Sequence, residues 1–456
     1  MFVLFGRSLA LARTLVYDLM FMILGLMMSI SGPTLLDLKQ SSGTNSYGIS
    51  FIFTARSIGY LMGSTTGGVV LDCLKNEDVA LIVSSLFVAL GAYAIPWCRS
   101  LPVLLCTFAI TGFAMGFSST GSNTSTLRIW GKKSAPFLQG LHFAYGLGGF
   151  LGPLLAAPFL STHATESRHP TLGASQNTSE PVMGIFANYS DNLPVAVTDG
   201  IPQITYAYAI IGAAATVVSG CFVFVVAFAS KEKSKKDTEV QVLGQDPGIA
   251  FTTIVIVLAC LQTGLVSGIE ISFTQMLTSY VVQSDHALTK VTGSYMTSLY
   301  WGCFTLMRFI SVLLACKLSV QKLLMFDLVL SSAAILLLLT VGTRFVDGLW
   351  VGTALLGIGV ASIFPATLSW VENYININNR IASAFTIVSN VLEMTVPLLI
   401  SIYLDTHPNV LFNFMMMDIV IVCCIFITLN FIVTRKGTKY AAPLECEKSN
   451  KPTVAV

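Results

Sequence analysis

The stretch GSYMTSLYWGCFTLMRFISVLLACK, residues 293–317, decides how the chain is read. It is long enough to cross a bilayer core, which takes roughly 20 apolar residues because backbone polar groups in hydrocarbon must bond internally. Yet Arg308 sits inside it, with no other charged residue within eight positions on either side. A charge at such depth costs about 2.5–3.5 kcal/mol on insertion scales. It is therefore expected to meet a partner, line a polar crevice, or snorkel toward Glu372 and the helix ends. A membrane protein with a polar interior is the first expectation.

Working outward, the composition agrees. Of 456 residues, 54% are hydrophobic and 11% charged, and mean hydropathy is +0.75, well outside the balance of water-soluble domains. The net charge of +2 gives no hold on a polyanion, so no nucleic-acid partner is expected. Nine of the ten cysteines lie in or beside apolar runs, without a disulfide framework or a CxxC metal spacing. The first apolar run is too long for a signal-peptide core and reads as a retained helix. No HExxH, GxSxG or P-loop occurs, so neither an enzyme nor an ATP-driven pump is expected, and no metal site.

Measured against the bilayer, the chain yields spans near 14–34, 47–71, 79–97, 101–121, 135–160, 205–229, 249–278, 292–316, 323–342, 348–370, 382–404 and 411–433. That is an all-α membrane protein of twelve transmembrane helices. With the N-terminus inside, eighteen of the 25 Lys and Arg residues fall on inner segments and five on outer loops, while Arg56 and Arg308 lie within spans. The excess of positive charge inside puts both termini in the cytoplasm. Sequons at Asn177 and Asn188 fall on the outer loop 161–204, where glycosylation can reach them, whereas that at Asn123 faces the cytoplasm.

The KEKSKKD run from Lys231 divides the spans six and six. The expected domains are an N-terminal bundle over 1–230, a linker over 231–248, a C-terminal bundle over 249–434 and a tail over 435–456. A shift of 244 residues sets Pro153 against Pro397, and Asp72 against Cys316, as two pseudo-symmetric halves would.

Ionisable residues inside spans mark the chemistry. Arg56, Glu270, Arg308 and Glu393 lie deep, two cations and two anions; Asp18 and Glu372 lie nearer the cytoplasmic face. Their balance suggests ion pairs that change between transporter states, with Arg56, Asp72, Arg308 and Glu372 in gating or pairing roles. Glu393 lies three residues beyond Asn390, so both share one helix face. Sugars need short polar groups and aromatic rings, which Gln139, His142, Gln262, Gln275, Asn390, Trp301 and Trp370 can supply. Each also has a plain packing reading.

GGVVLD with Lys75, and YGLGGFLGP in span five, resemble the loop two–three and helix-five motifs of the major facilitator superfamily. TGSNTSTLRIWGKKSAPFLQGLHFAYGLGGFLGPLL, residues 120–155, is similar to its sodium-dependent glucose transporter branch, the group around domain-containing protein four. Asn123, Trp130, Gly131, Leu141, His142, Phe143 and Pro153 carry the likeness. GYLMGSTTGG, GIEISF, YWGCFTLMRF and NVLEMTVP extend it from span two to span eleven. The resemblance implies the major facilitator fold and hexose uptake coupled to sodium, with Glu270 and Glu393 on the pathway. It departs at Ser119, where an acidic residue is expected.

The expectation is thus an alternating-access transporter of a small polar solute, foremost a monosaccharide such as glucose. The resemblance implies sodium as a candidate coupling ion, no other cofactor is expected, and the chain is expected to act as a monomer in the lipid bilayer of the plasma membrane. The alternatives are a uniporter or channel-like path for a sugar or urea, and a nutrient sensor without flux.

Overall fold

The computed structural model describes residues 2–73, 77–131, 134–161, 202–228, 249–315, 318–375 and 379–436. Asn177, Asn188, the 231–248 linker, most of the tail and the Asp72 side chain lie outside the described residues. Fourteen α-helices account for nearly all of what is described. They are α1 (Phe2–Ile30), α2 (Leu35–Ser42), α3 (Ser46–Cys73), α4 (Glu77–Ala94), α5 (Leu101–Trp130), α6 (Ala135–Ala156) and α7 (Ile204–Phe228) in the first half. The second half holds α8 (Ile249–Gln283), α9 (Lys290–Ala315), α10 (Val320–Leu337), α11 (Val346–Val360), α12 (Ile363–Glu372), α13 (Asn379–Leu404) and α14 (Val410–Lys436).

Ten stretches among the described residues are long and apolar enough to cross a membrane. The two expected spans that fall short in apolarity are α3 and α9, of 28 and 26 residues, and these are the helices that carry Arg56 and Arg308. They have the length to cross; their polar residues are what lowers the hydropathy. With them the crossings number twelve, α11 and α12 together forming the tenth.

Proline and glycine set the differences from the expected span ends. The first span was expected to run to 34, but α1 stops at Ile30, just before Gly32 and Pro33, and the chain turns into the short α2. The tenth span breaks at residues 361–362 because Pro365, lacking an N–H, cannot bond the Ala361 carbonyl one turn back and its ring crowds it. The ninth ends in a π-turn, Leu338–Gly342.

Helices α1 and α3–α7 pack together, as do α8–α14, and the two groups meet mainly along two seams, α6 on α9 and α3 on α13. Within the first group the α3–α5 contact is so close that a Cβ on Gly63 would lie 1.9 Å from the Phe113 carbonyl oxygen. Only glycine permits that approach, and in a bilayer such packing takes the place of the hydrophobic effect between helices.

Candidate functional site

The site begins at the end of α1. The last carbonyls of a helix have no partner within it, and that of Met28 receives two from elsewhere: Arg56 Nη1 of α3 at 3.5 Å and Gln275 Nε2 of α8 at 3.0 Å. Arg56 Nη1 also donates to Ser31 Oγ at 3.1 Å, and its guanidinium lies 5.5 Å from the Phe53 ring centroid. This joins both bundles at one carbonyl. Arg56 Nη2 and Gln275 Oε1 remain buried without a hydrogen-bond partner.

Glu393, near the middle of α13, faces Arg56 across the α3–α13 seam and has Ser267 of α8 beside it. Glu270, one turn along α8 from Ser267, is its acidic neighbour and in turn feels the Arg308 charge. Among the described residues neither carboxylate closes into a direct ion pair with an arginine, so the four charges are not neutralised by one another in contact. Tyr145 of α6 is the common neighbour of Arg56, Tyr60, Glu270 and Glu393. Glu270, Glu393, Tyr145 and Arg308 each keep part of their surface open. Two cations, two carboxylates and phenols gathered in this way can bind a polar solute by charge-assisted hydrogen bonds.

Arg308 is fixed by the broken tenth span. Its Nε donates to the Ala361 carbonyl at 3.3 Å, the acceptor that Pro365 leaves free, and its guanidinium lies 4.6 Å from the centroid of Phe304. The cation thus caps a helix break and points its charge at the site.

The α6–α9 seam is tight. A Cβ on Gly149 would lie 2.8 Å from Trp301 Cδ2, and one on Gly146 would lie 2.3 Å from Thr305 Oγ1. Ser294 and Ser298 of α9 donate to the Pro153 and Phe150 carbonyls at 2.6 and 2.8 Å. Trp301 is buried there against Tyr145, Tyr300 and Phe304, its Nε1 without a partner.

Residues 18–397 match the Major Facilitator Superfamily. The chain belongs to that superfamily. Sodium-dependent glucose transporter 1 of Xenopus laevis is 29% identical over 384 residues, 84% of this chain and 74% of that protein. Major facilitator superfamily domain-containing protein 4A of Xenopus tropicalis is 29% identical over 446 residues, 88% of each chain. The solved nucleoside transporter NupG superposes with a TM-score of 0.61 at 10% identity, over 93% of this chain and 98% of that one. The fold is that of a multi-pass membrane transporter, not of an enzyme.

Within this superfamily fold, the residues singled out from sequence divide into two sets. Arg56, Glu270, Arg308, Glu393 and Gln275 converge at the site, and Trp301 packs behind Tyr145 in the α6–α9 seam. His142 of α6 lies edge-on to Phe21 at 5.9 Å, keeps an open surface and is within electrostatic reach of Arg308. Gln262 is buried inside the second bundle, donating to Thr367 Oγ1 at 3.1 Å, and Trp370 packs on Tyr374 and Phe426. Asn390 donates to the Thr386 carbonyl of its own helix at 2.9 Å. Gln139 is exposed near the start of α6, and Glu372 is exposed at the end of α12, where Arg308 does not reach it. Ser119 accepts from Tyr60 Oη at 3.0 Å, which places it one side chain from the charged site.

The rims of the two bundles differ. On the face opposite the chain ends, Lys290 of α9 pairs with Asp37 of α2 at 2.8 Å, the side chains only 4% and 6% exposed, and Ser161 bonds both. Beside them Lys39 lies 3.5 Å from Asp405, which also accepts from Ser46 at 2.5 Å and Gln283 at 2.6 Å. Both clusters tie one bundle to the other. On the chain-end face the described ion pairs, Arg13–Asp78 at 3.0 Å and Arg128–Glu77, stay within the first bundle. Among the described residues, the ion pairs that join the two bundles lie on the face opposite the chain ends. Lys39 and Lys290 are two of the five cations that the sequence assigns to outer loops, and nothing in the sequence marks their acidic partners.

Proposed function

We propose that the protein carries a hexose, glucose foremost, across the plasma membrane together with sodium, by rocking two bundles about the Arg56–Glu393 site. The observation that carries this reading is the set of unsatisfied polar groups buried around the charged residues. Arg56 Nη2, Gln275 Oε1, Tyr300 Oη and Trp301 Nε1 are all buried without a partner. A buried donor or acceptor left unpaired costs about 1–3 kcal/mol, and a polyol bound there offers hydroxyls as both donors and acceptors. A site built to bond hydroxyls also rejects analogues that lack them. The relatives named for sodium-dependent glucose transport support the same substrate class.

With both termini in the cytoplasm, as the positive-inside rule gives, the latched rim faces outward. In this reading the protein works as a monomer, the charged residues of both bundles coming from one chain. Asn177 and Asn188 then carry glycans on the outside.

A second reading, facilitated uniport of a sugar or urea, is favoured by Ser119. That position holds a hydroxyl where the family resemblance leads to the expectation of an acid. Uptake of a panel of labelled sugars, urea and amino acids into proteoliposomes, with and without an inward sodium gradient, separates the two. Hexose uptake that rises with the gradient, and is lost in Glu393→Gln and Glu270→Gln, supports symport; uptake indifferent to sodium supports uniport. Hexose uptake untouched by both substitutions contradicts the site.

A further inference from the structure

Asp327 of α10 is wholly buried and takes no part in the site above. Its Oδ2 accepts from Ser362 Oγ at 2.6 Å, while its Oδ1 has no partner, and no cation pairs with it among the described residues. Ser331, four residues on and therefore on the same face of α10, is equally buried and its hydroxyl is also unpartnered. Most helical serines that lack another partner bond the carbonyl one turn back. Across from it, a Cβ on Gly359 would lie 2.6 Å from Ser331 Oγ, so α10 is pressed against the last turn of α11, where the tenth span breaks.

A helix C-terminus carries partial negative charge, and in transporters the ends of broken helices are where backbone oxygens and half-helix dipoles hold small cations. Here the α11 end lies against Ser331, while Ser362, the N-cap of α12, donates to a carboxylate that has no cationic partner among the described residues. A lone buried carboxylate is strongly unfavourable. The donor set is oxygen only, which selects a hard cation, and a single carboxylate balances one positive charge.

We propose that Asp327, Ser331 and Ser362 form a binding site for a dehydrated monovalent cation of the sodium class at the break of the tenth span. The site couples to the solute site through the same break, because the adjoining Ala361 carbonyl holds Arg308. It extends the sodium-coupled reading above, yet it can be tested without sugar or flux.

The test is thermal unfolding of the purified full chain in lipid nanodiscs, titrated with sodium chloride against choline chloride at constant ionic strength and without solute. The expected result is a melting temperature that rises saturably with sodium. Asp327→Asn keeps an acceptor for Ser362 and should fold, with its half-saturating sodium concentration raised roughly tenfold or its response lost. Ser331→Ala, which keeps the carboxylate, should show a smaller rise and provides the test should Asp327→Asn not fold. A wild-type protein indifferent to sodium, one stabilised by acid alone, or variants that respond as wild type does would overturn the site. A sodium response in a protein that moves no hexose would leave the cation site standing and remove the hexose reading instead.

Discussion

The two seams between the bundles occupy equivalent places in a two-fold plan, and they are filled in opposite ways. The 244-residue shift that sets Pro153 on Pro397 also sets Gly149 on Glu393. On the α6–α9 side the glycine admits Trp301 and the seam is packed, with two serine hydroxyls tied to carbonyls across it. On the α3–α13 side the equivalent position bears a carboxylate facing Arg56; along the seam Thr54 reaches the Met394 carbonyl at 3.4 Å, while the short bond, Ser46 to Asp405 at 2.5 Å, lies at the rim. The first seam has the build of a pivot and the second that of a passage. A duplicated fold can thus divide its work between halves by a change at one position.

Substitutions can break or sharpen this contrast. The largest effect is expected from Arg56→Met, which strands Glu393 and leaves the Met28 carbonyl with Gln275 alone. Losing a partner of a buried charge costs about 2–5 kcal/mol, so uptake efficiency should fall roughly thirtyfold or more, read as initial rates normalised to surface expression. Gly149→Val attacks the other seam. Overpacking against Trp301 should cost about 1–3 kcal/mol of stability, seen as a lowered melting temperature, with turnover impaired as the pivot is wedged apart. Ser298→Ala removes one tie to Phe150 and should cost about 1 kcal/mol. Glu372→Gln, on an exposed side chain outside both seams, should lie within about 0.5 kcal/mol of wild type in stability and leave uptake unchanged. A loss of uptake in that variant equal to that in Arg56→Met would erase the distinction between seam and surface.

The spans and the deep charges were legible in the sequence because each imposes a local requirement: a run of apolar length, or an arginine that oil cannot hold. Arg56 and Arg308 were found that way, and their helices are the two whose polarity departs from that of ordinary spans. Pairing was not legible. Lys290 and Asp37 lie 253 residues apart, and nothing in either neighbourhood specifies the other. The Arg308 contact was hidden for a different reason, since its acceptor is a backbone carbonyl that Pro365 frees one turn away. Gln262 looked like a pathway group because composition cannot tell an amide facing a crevice from one tethering two helices.

The most direct test of the passage assigned to the α3–α13 seam is counterflow in proteoliposomes preloaded with unlabelled glucose and diluted into a trace of labelled glucose. Wild-type protein should accumulate label transiently above its equilibrium level, as a carrier with one moving site must, and Glu393→Gln should abolish that overshoot while remaining folded. An absence of overshoot in the wild type with every hexose tried, or an undiminished one in Glu393→Gln, would contradict the account.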